Sequence, residues 1–174
     1  MGKIIVSRED RCMACRACEI ACALSHSKAK TLAEAVRCDP PPHPRVHVEP
    51  LGEGSIALQC RHCEDAPCVA ICPTEALSRL SEGGPVQLDP DRCIGCKYCV
   101  VTCPFGAIEM SPDGKVASKC DLCAERTEAG KLPACVEACP THALIYTEIE
   151  SWLRRRRGEA ARRVADSQAL TKAP

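Results

Sequence analysis

The segment DRCIGCKYCVVTCPFGAI, residues 91–108, holds four cysteines and places a proline directly after the last of them. Its spacing is Cys-x2-Cys-x2-Cys-x3-Cys-Pro. Three thiolates at this spacing can converge on one iron–sulfur cluster inside a loop, while the fourth cysteine opens a short helix and points at a different cluster. A chain that contains this segment is therefore constrained to fold around metal, and around clusters in pairs.

The pattern occurs four times along the chain. The second copy widens one gap to four residues, and the fourth copy widens the same gap to eleven. Three copies end in Cys-Pro, whereas Ala23 follows the last cysteine of the first copy. The four copies are Cys12, Cys15, Cys18 and Cys22; Cys60, Cys63, Cys68 and Cys72; Cys93, Cys96, Cys99 and Cys103; and Cys120, Cys123, Cys135 and Cys139. They use sixteen of the 17 cysteines and predict four [4Fe–4S] clusters.

Two other uses of so many cysteines are less consistent with the sequence. A secreted disulfide scaffold is disfavoured because the N-terminal segment MGKIIVSREDRC has only a short apolar run and no cleavage site of small residues. Zinc is the alternative metal, since zinc sites also use Cys-x2-Cys. However, a third cysteine at the same spacing followed by Cys-Pro has no role in a tetrahedral site.

Composition and charge limit the kinds of partner that the protein is expected to bind and the compartment in which it is expected to act. One tryptophan, two tyrosines and one phenylalanine are too few to supply an ordinary core, so the cysteines must help to hold the chain together. The formal net charge is zero, which gives no general attraction to nucleic acid or to an anionic membrane. No stretch approaches the roughly 20 apolar residues of a membrane span. We therefore expect a cytoplasmic protein without a membrane span.

Short strands are predicted between the cysteine groups. Lys3–Ser7 and the segment 143–147 are expected to pair across the length of the core. Three hairpins are predicted from turn residues flanked by apolar runs. They join segments 45–51 and 55–59, segments 76–80 and 86–88, and segments 108–110 and 115–118. The fold class predicted is α+β, with no long amphipathic helix before residue 148.

The phrases LQCRHCEDAPCVAICPTEAL and KCDLCAERTEAGKLPACVEACPTHAL carry a family resemblance over residues 1–147. The chain resembles the four-cluster iron–sulfur subunits of the dimethylsulfoxide reductase and formate dehydrogenase type. Its short relatives of that type serve formate hydrogenlyase, carbon monoxide dehydrogenase and tungsten aldehyde oxidoreductase systems. The resemblance implies two ferredoxin-like modules, each with short β-hairpins and short helices around a pair of clusters, one inserted in the other.

The resemblance also implies four ligand sets, each named here by its first cysteine. The Cys12 set is Cys12, Cys15, Cys18 and Cys139, and the Cys120 set is Cys120, Cys123, Cys135 and Cys22. The Cys60 set is Cys60, Cys63, Cys68 and Cys103, and the Cys93 set is Cys93, Cys96, Cys99 and Cys72. The outer module would be discontinuous, formed by residues 1–59 and 111–147, with an inner module at 60–110 and a basic helical tail at 148–174.

Clusters with four cysteine ligands offer one-electron transfer and no open iron for a substrate. The sequence therefore predicts no catalytic residue, and it predicts an electron-transfer subunit that relays electrons between a catalytic subunit and a second redox subunit or carrier. The resemblance points to a tungsten or molybdenum pterin enzyme, a nickel enzyme or a hydrogenase as the catalytic partner. A freely diffusing polyferredoxin is the alternative. An independent dehydratase or radical enzyme is disfavoured because no group lacks its fourth cysteine.

The tail EIESWLRRRRGEAARRVADSQ, residues 148–168, is predicted to be a helix interrupted at Gly158. It is either a solvated basic helix or a docking arm for a partner or for another copy of this chain, with Trp152 as an anchor. Nucleic-acid binding is disfavoured because one tryptophan is its only aromatic residue. Cys38 is expected to be a spare thiol and His62 a loop residue. Charges beside ligating cysteines, at Arg16, Arg61, Lys97 and Lys119, could raise cluster potentials electrostatically, but each is expected to be a solvated surface charge.

Overall fold

The computed structural model describes residues 2–29, 31–79 and 81–171. The strands are β1 (Lys3–Ser7), β2 (Val46–Leu51), β3 (Gly54–Gln59), β4 (Leu77–Arg79), β5 (Val86–Leu88), β6 (Ile108–Met110), β7 (Ala117–Lys119) and β8 (Leu144–Glu148). The helices are α1 (Ala17–Ser25), α2 (Leu32–Ala35), α3 (Pro67–Ala70), α4 (Tyr98–Thr102), α5 (Ala124–Glu128), α6 (Ala134–Glu137) and α7 (Ile149–Thr171). Single 3-10 turns lie at Glu9–Arg11 and Pro90–Arg92. The predicted α+β class is confirmed.

The strands of the described residues form four antiparallel pairs. β1 pairs with β8 in the register Ile5 to Tyr146, so the first and last strands of the core lie side by side, as predicted. The other three pairs are the predicted hairpins, β2–β3, β4–β5 and β6–β7. The second predicted hairpin began at 76–80, and its residue Leu80 lies outside the described residues. Strands β1, β5 and β6 have the predicted bounds, and the other five differ from the predicted segments by one or two residues at their ends.

The β2–β3 hairpin is positioned against β1 by hydrogen bonds between side chains and main chain. Two residues separate β2 from β3, and Gly52 takes the positive φ of 54° that such a turn requires at its first position. Gln59 is buried, and its amide nitrogen donates to the carbonyl of Ile5 over 2.9 Å. The Ser7 hydroxyl donates to the carbonyl of Ala57. These bonds hold the hairpin across β1 without a continuous sheet.

Two separate cores are present, and cysteines are part of both. The first core combines β1, the β2–β3 hairpin, α1, α6 and β8. Its buried members are Ile5, Cys18, Cys22, Val46, Val48, Ala57, Cys120, Leu122, Cys135, Val136, Cys139, Ala143 and Leu144. The second core is built from the short hairpins β4–β5 and β6–β7 with α3 and α4. Its buried members are Cys68, Leu77, Val86, Cys99, Ile108 and Ala117.

The second core extends past residue 110, the predicted end of the inner module. Met110 on β6 pairs with Ala117 on β7, and Ala117 is buried with Leu77 and Val86. A boundary at 110 would cut this hairpin in two. The inner core therefore ends at β7, and Lys119, the last residue of β7, is buried at its edge.

The C-terminal helix differs from its prediction. α7 is continuous through Gly158, so the predicted interruption is wrong. A helix interior tolerates a single glycine at a cost of about 1 kcal/mol relative to alanine. Residues 172–174 of the predicted tail lie outside the described residues. Among the described helices, none is both long enough and apolar enough to cross a bilayer.

Candidate metal centre

Each group begins with a loop that turns sharply after its first cysteine. The residue two positions later has a positive φ in all four groups: Ala14 at 55°, His62 at 49°, Gly95 at 67° and Leu122 at 59°. This turn aims backbone N–H groups back at sulfur. The N–H of Leu122 lies 3.4 Å from the Cys120 sulfur, and the N–H of His62 lies 3.5 Å from the Cys60 sulfur. Such donors stabilise negative charge on a cluster-bound thiolate.

The third group needs a glycine in this turn for a second reason. A Cβ atom on Gly95 would lie 2.5 Å from the carbonyl oxygen of Lys115. The loop that follows Cys93 is therefore pressed against the β6–β7 turn. In the same region the N–H of Ala117 lies 3.5 Å from the Cys93 sulfur. β7 thus helps to surround the cysteines of the third group.

The backbone around the fourth cysteine takes one of two conformations, depending on whether a proline follows. Proline disfavours helical geometry in the preceding residue, and Cys103 accordingly ends α4 with an extended ψ of 114°. The prediction that the fourth cysteine opens a short helix is therefore wrong at Cys103. Residues three positions after the Cys-Pro cysteines have positive φ: Glu75 at 53°, Gly106 at 58° and His142 at 51°. In the first group Ala23 replaces the proline, and α1 continues through Cys22 to Ser25. Without the proline, the helix does not end at the fourth cysteine of this group.

Hydrogen bonds reach the fourth cysteines as well. The N–H of Ala143 lies 3.2 Å from the Cys139 sulfur, and the N–H of Arg45 lies 3.2 Å from the Cys22 sulfur. Burial alone would raise the pKa of Cys139, but donors from Leu144, Thr141 and Ala143 lower it. In the same way burial alone would raise the pKa of Cys72, but hydrogen-bond donors from Leu77, Thr74 and Ala76 lower it. These two sites favour the thiolate, which is the form that binds iron.

The outer core brings the first and fourth groups together. Helices α1 and α6 pack against each other. Burial, and after it the thiols of Cys120, Cys22 and Cys123, raise the pKa of Cys135. Burial, Glu19 and the Cys139 thiol act on Cys18, whose pKa is raised to about 11. Cys22 is therefore an electrostatic neighbour of Cys135 in the fourth group, and Cys139 is an electrostatic neighbour of Cys18 in the first group.

The inner core brings the second and third groups together. Helices α3 and α4 pack against each other. Burial raises the pKa of Cys68, and the thiols of Cys60 and Cys103 are among its electrostatic neighbours. One cavity is lined by four other cysteines of these two groups, Cys72, Cys93, Cys96 and Cys99. Crowded, buried thiols of this kind disfavour charge until a cation compensates it, so they fit an iron–sulfur cluster.

A charged network that the sequence did not predict lies beside the Cys120 set. Asp121 accepts hydrogen bonds from His26 Nε2 over 3.0 Å and from Arg45 over 2.7 Å. His26 Nδ1 lies 2.8 Å from the carbonyl of Cys22 and donates to it. Burial opposes protonation of His26, but Asp121 and the thiols of Cys123 and Cys22 raise its pKa to about 12. The sequence carried no signal for this network, because its members are far apart along the chain.

His62 is a loop residue, as predicted, whereas Lys119 differs from its predicted surroundings. His62 Nδ1 accepts a hydrogen bond from the N–H of Val86 over 3.0 Å, and burial followed by the charge of Lys119 lowers the pKa of His62 to about 3. The predicted solvated position of Lys119 is wrong, because this side chain is buried. Arg16, Arg61 and Lys97 are exposed, as predicted. Cys38 is exposed and lies outside the four groups.

Comparison with known proteins decides the family. The profile of the 4Fe-4S dicluster domain matches residues 55–149. The chain belongs to this 4Fe-4S dicluster family. The predicted family, cofactors and electron-transfer role are thereby confirmed. This dicluster protein carries four [4Fe–4S] clusters and transfers single electrons.

Three curated relatives match almost the whole dicluster chain. An iron-sulfur protein of Rhodospirillum rubrum is 41% identical over 94% of this chain and 92% of its own length. The electron transport protein HydN of Escherichia coli is 40% identical over 85% of this chain and 89% of its own. The thiosulfate reductase electron transfer subunit PhsB of Salmonella typhi is 38% identical over 86% of this chain and 80% of its own.

Proposed function

We propose that this protein is the fixed electron-transfer subunit of an oxidoreductase complex. Single electrons pass along a relay in which the Cys93, Cys60, Cys120 and Cys12 clusters follow one another. Each cluster is held by three cysteines of one group and the fourth cysteine of another, in the four sets given above. The catalytic partner is a tungsten or molybdenum pterin enzyme, a nickel enzyme or a hydrogenase, and a second redox subunit or carrier completes the path.

The burial of the cysteines is the observation that carries this order. Cys96 of the Cys93 set and Cys15 of the Cys12 set are exposed, so one cluster in each module approaches the surface. Cys60 packs against the outer core, and Cys120 is buried within it. The Cys60 and Cys120 sets therefore meet where the modules join. Electrons would enter at one exposed cluster, cross the junction and leave at the other.

Exposed apolar side chains beside both surface clusters support a fixed assembly. Ile94, Tyr98 and Phe105 surround the exposed end of the third group, and Val101 is 85% exposed there. Met13, beside Cys15, is 64% exposed. Apolar contact at these points would exclude water and shorten the path between redox centres across an interface. A freely diffusing polyferredoxin would more often present acidic surface for reversible docking, whereas this chain is neutral.

The module boundaries belong to the same proposal. The inner module runs from residue 60 through β7 at residue 119, and the outer module consists of residues 1–59 and 120–148. The two separate cores and the β6–β7 pairing support this division. A cytoplasmic site of action is proposed as well, because thiols that bind clusters must be kept reduced until the iron is inserted.

The C-terminal helix α7 is part of the proposed assembly, as a contact with a partner or with a second copy of the chain. Trp152 lines a cavity with Ile4–Val6 and His62, and the guanidinium of Arg155 lies 4.3 Å from its ring centre. Trp152 thus contacts residues of its own chain. A partner or a second copy would instead contact Leu153 and Val164, which are exposed. The arginines between them suit a surface that carries carboxylates.

Removing residues 159–174 tests the tail. The truncated protein keeps Trp152 and its contacts, so we expect full iron content together with at least tenfold weaker binding to the partner complex. Co-purification and sedimentation measure the two quantities. Trp152→Ala in the full-length chain is the control, since it should lower thermal stability without weakening assembly. Unchanged assembly after truncation would show that the tail is a solvated helix and not a docking arm.

The proposed function is tested on protein purified anaerobically from its native host together with whatever binds it. Four irons in each of four clusters give about sixteen irons per chain. Stoichiometric tungsten, molybdenum or nickel on a co-purifying chain would identify the catalytic partner. The same iron content without a second metal or another chain would contradict the fixed subunit and favour the diffusing polyferredoxin.

A further inference from the structure

Lys119 is a charged side chain inside the protein. It is the last residue of β7, directly precedes the ligand Cys120, and is only 3% exposed. Lysine is almost never buried to this extent unless a partner of opposite charge compensates it. The surroundings of this ammonium group therefore require an explanation.

The contacts of Lys119 join the two modules. Its Nζ atom donates to the carbonyl of Val86 over 2.6 Å and to the carbonyl of Cys120 over 2.7 Å. Val86 is buried in the inner core, and Cys120 is buried in the outer core. The ammonium group thus lies at the junction, next to the Cys60 set on one side and the Cys120 set on the other.

Within the described residues, no carboxylate forms an ion pair with Lys119. Asp121 is the nearest acidic residue in sequence, and its two oxygens are occupied by His26 at 3.0 Å and Arg45 at 2.7 Å. Two backbone carbonyls supply partial negative charge only. The positive charge of Lys119 is therefore not compensated by any side chain that the structure describes.

We propose that Lys119 is the counter-charge of the two junction clusters and raises their reduction potentials. A [4Fe–4S] core with four thiolate ligands carries net negative charge, and adding an electron makes it more negative. A nearby fixed cation in a poorly solvated interior stabilises the reduced cluster more than the oxidised one. The inference rests on the ligand sets and relay order proposed above, which bring both clusters to this junction.

Redox titration of the intact, fully loaded protein tests the proposal, with the clusters followed by electron paramagnetic resonance. Lys119→Gln retains hydrogen-bond donors and removes the charge. We expect at least a tenfold lower ratio of reduced to oxidised junction cluster at a fixed potential, which is a shift of about −59 mV for one electron. Lys119→Arg, which keeps the cation, should stay near the wild-type potentials.

Lys97→Gln is the matched control. Lys97 also adjoins a ligand, Cys96, but its side chain is exposed, so water screens its charge and its removal should shift the potentials far less. Unchanged potentials in Lys119→Gln with full iron content would overturn the proposal, as would an equal shift in Lys97→Gln. Loss of iron from Lys119→Gln would overturn it in favour of a purely structural role. Incorrect ligand sets would instead be revealed by cysteine variants, independently of Lys119.

Discussion

Removing the iron from this protein under reducing, anaerobic conditions is expected to unfold both modules. Seven of the buried core residues are grouped cysteines, namely Cys18, Cys22, Cys120, Cys135 and Cys139 in the outer core and Cys68 and Cys99 in the inner core. The β4–β5 and β6–β7 hairpins have three paired residues on each strand. Isolated two-stranded hairpins are marginally stable at best in water. Without clusters, little apolar contact remains to offset the conformational entropy of the chain.

We expect the apo-protein to lose its native near-ultraviolet circular dichroism and to expand toward the dimensions of an unfolded chain. Chelation followed by circular dichroism and light scattering measures both changes. Reconstitution with iron and sulfide is the control, since it should restore the compact state. A compact apo-protein with slowly exchanging amides in β1 and β8 would show that the polypeptide folds without metal.

Replacing Cys72 with serine is expected to alter the cluster held by Cys93, Cys96 and Cys99. Cys72 belongs to the second group by sequence, but it lines one cavity with the first three cysteines of the third. Its sulfur is also in a setting where hydrogen-bond donors favour the thiolate. Serine is a poorer ligand for iron, so the affected cluster should be lost or converted to a three-iron form in most molecules.

Electron paramagnetic resonance and iron analysis on the holoprotein measure this effect. The Cys60 cluster should keep its signal, because its four proposed ligands are untouched. Cys38→Ser is the matched control: the Cys38 thiol is exposed and lies outside all four groups, so iron content should not change. Loss of the Cys60 cluster alone would refute the crossed ligand sets.

Much of the fold could be predicted because its signals are local. Glycine-containing turns between apolar segments marked the hairpins, and the alternating run at Lys3–Ser7 marked β1. Pairing of β1 with β8 was predictable because both strands flank the full set of cysteine groups. The continuous α7 was not predicted, since a lone glycine costs too little to stop a helix whose other residues favour it.

The cysteine ligands of the candidate site could be predicted from the sequence, but the charged residues that surround them could not. Cysteine spacing identifies the sulfurs that can reach a cluster, and it does so without reference to tertiary structure. The His26–Asp121–Arg45 network and the burial of Lys119 depend on how the first hairpin and the inner module pack against the fourth group. No periodicity in the sequence records such contacts between distant segments.

The pairing of β1 with β8 has a consequence for biosynthesis. The first strand leaves the ribosome long before its partner, Leu144–Glu148, has been translated. All the buried residues of the inner core have been translated once the ribosome has passed Ala117. The segment that forms the inner core is therefore complete before the last strand of the outer core has been translated. The outer core cannot close until β8 is available to pair with β1.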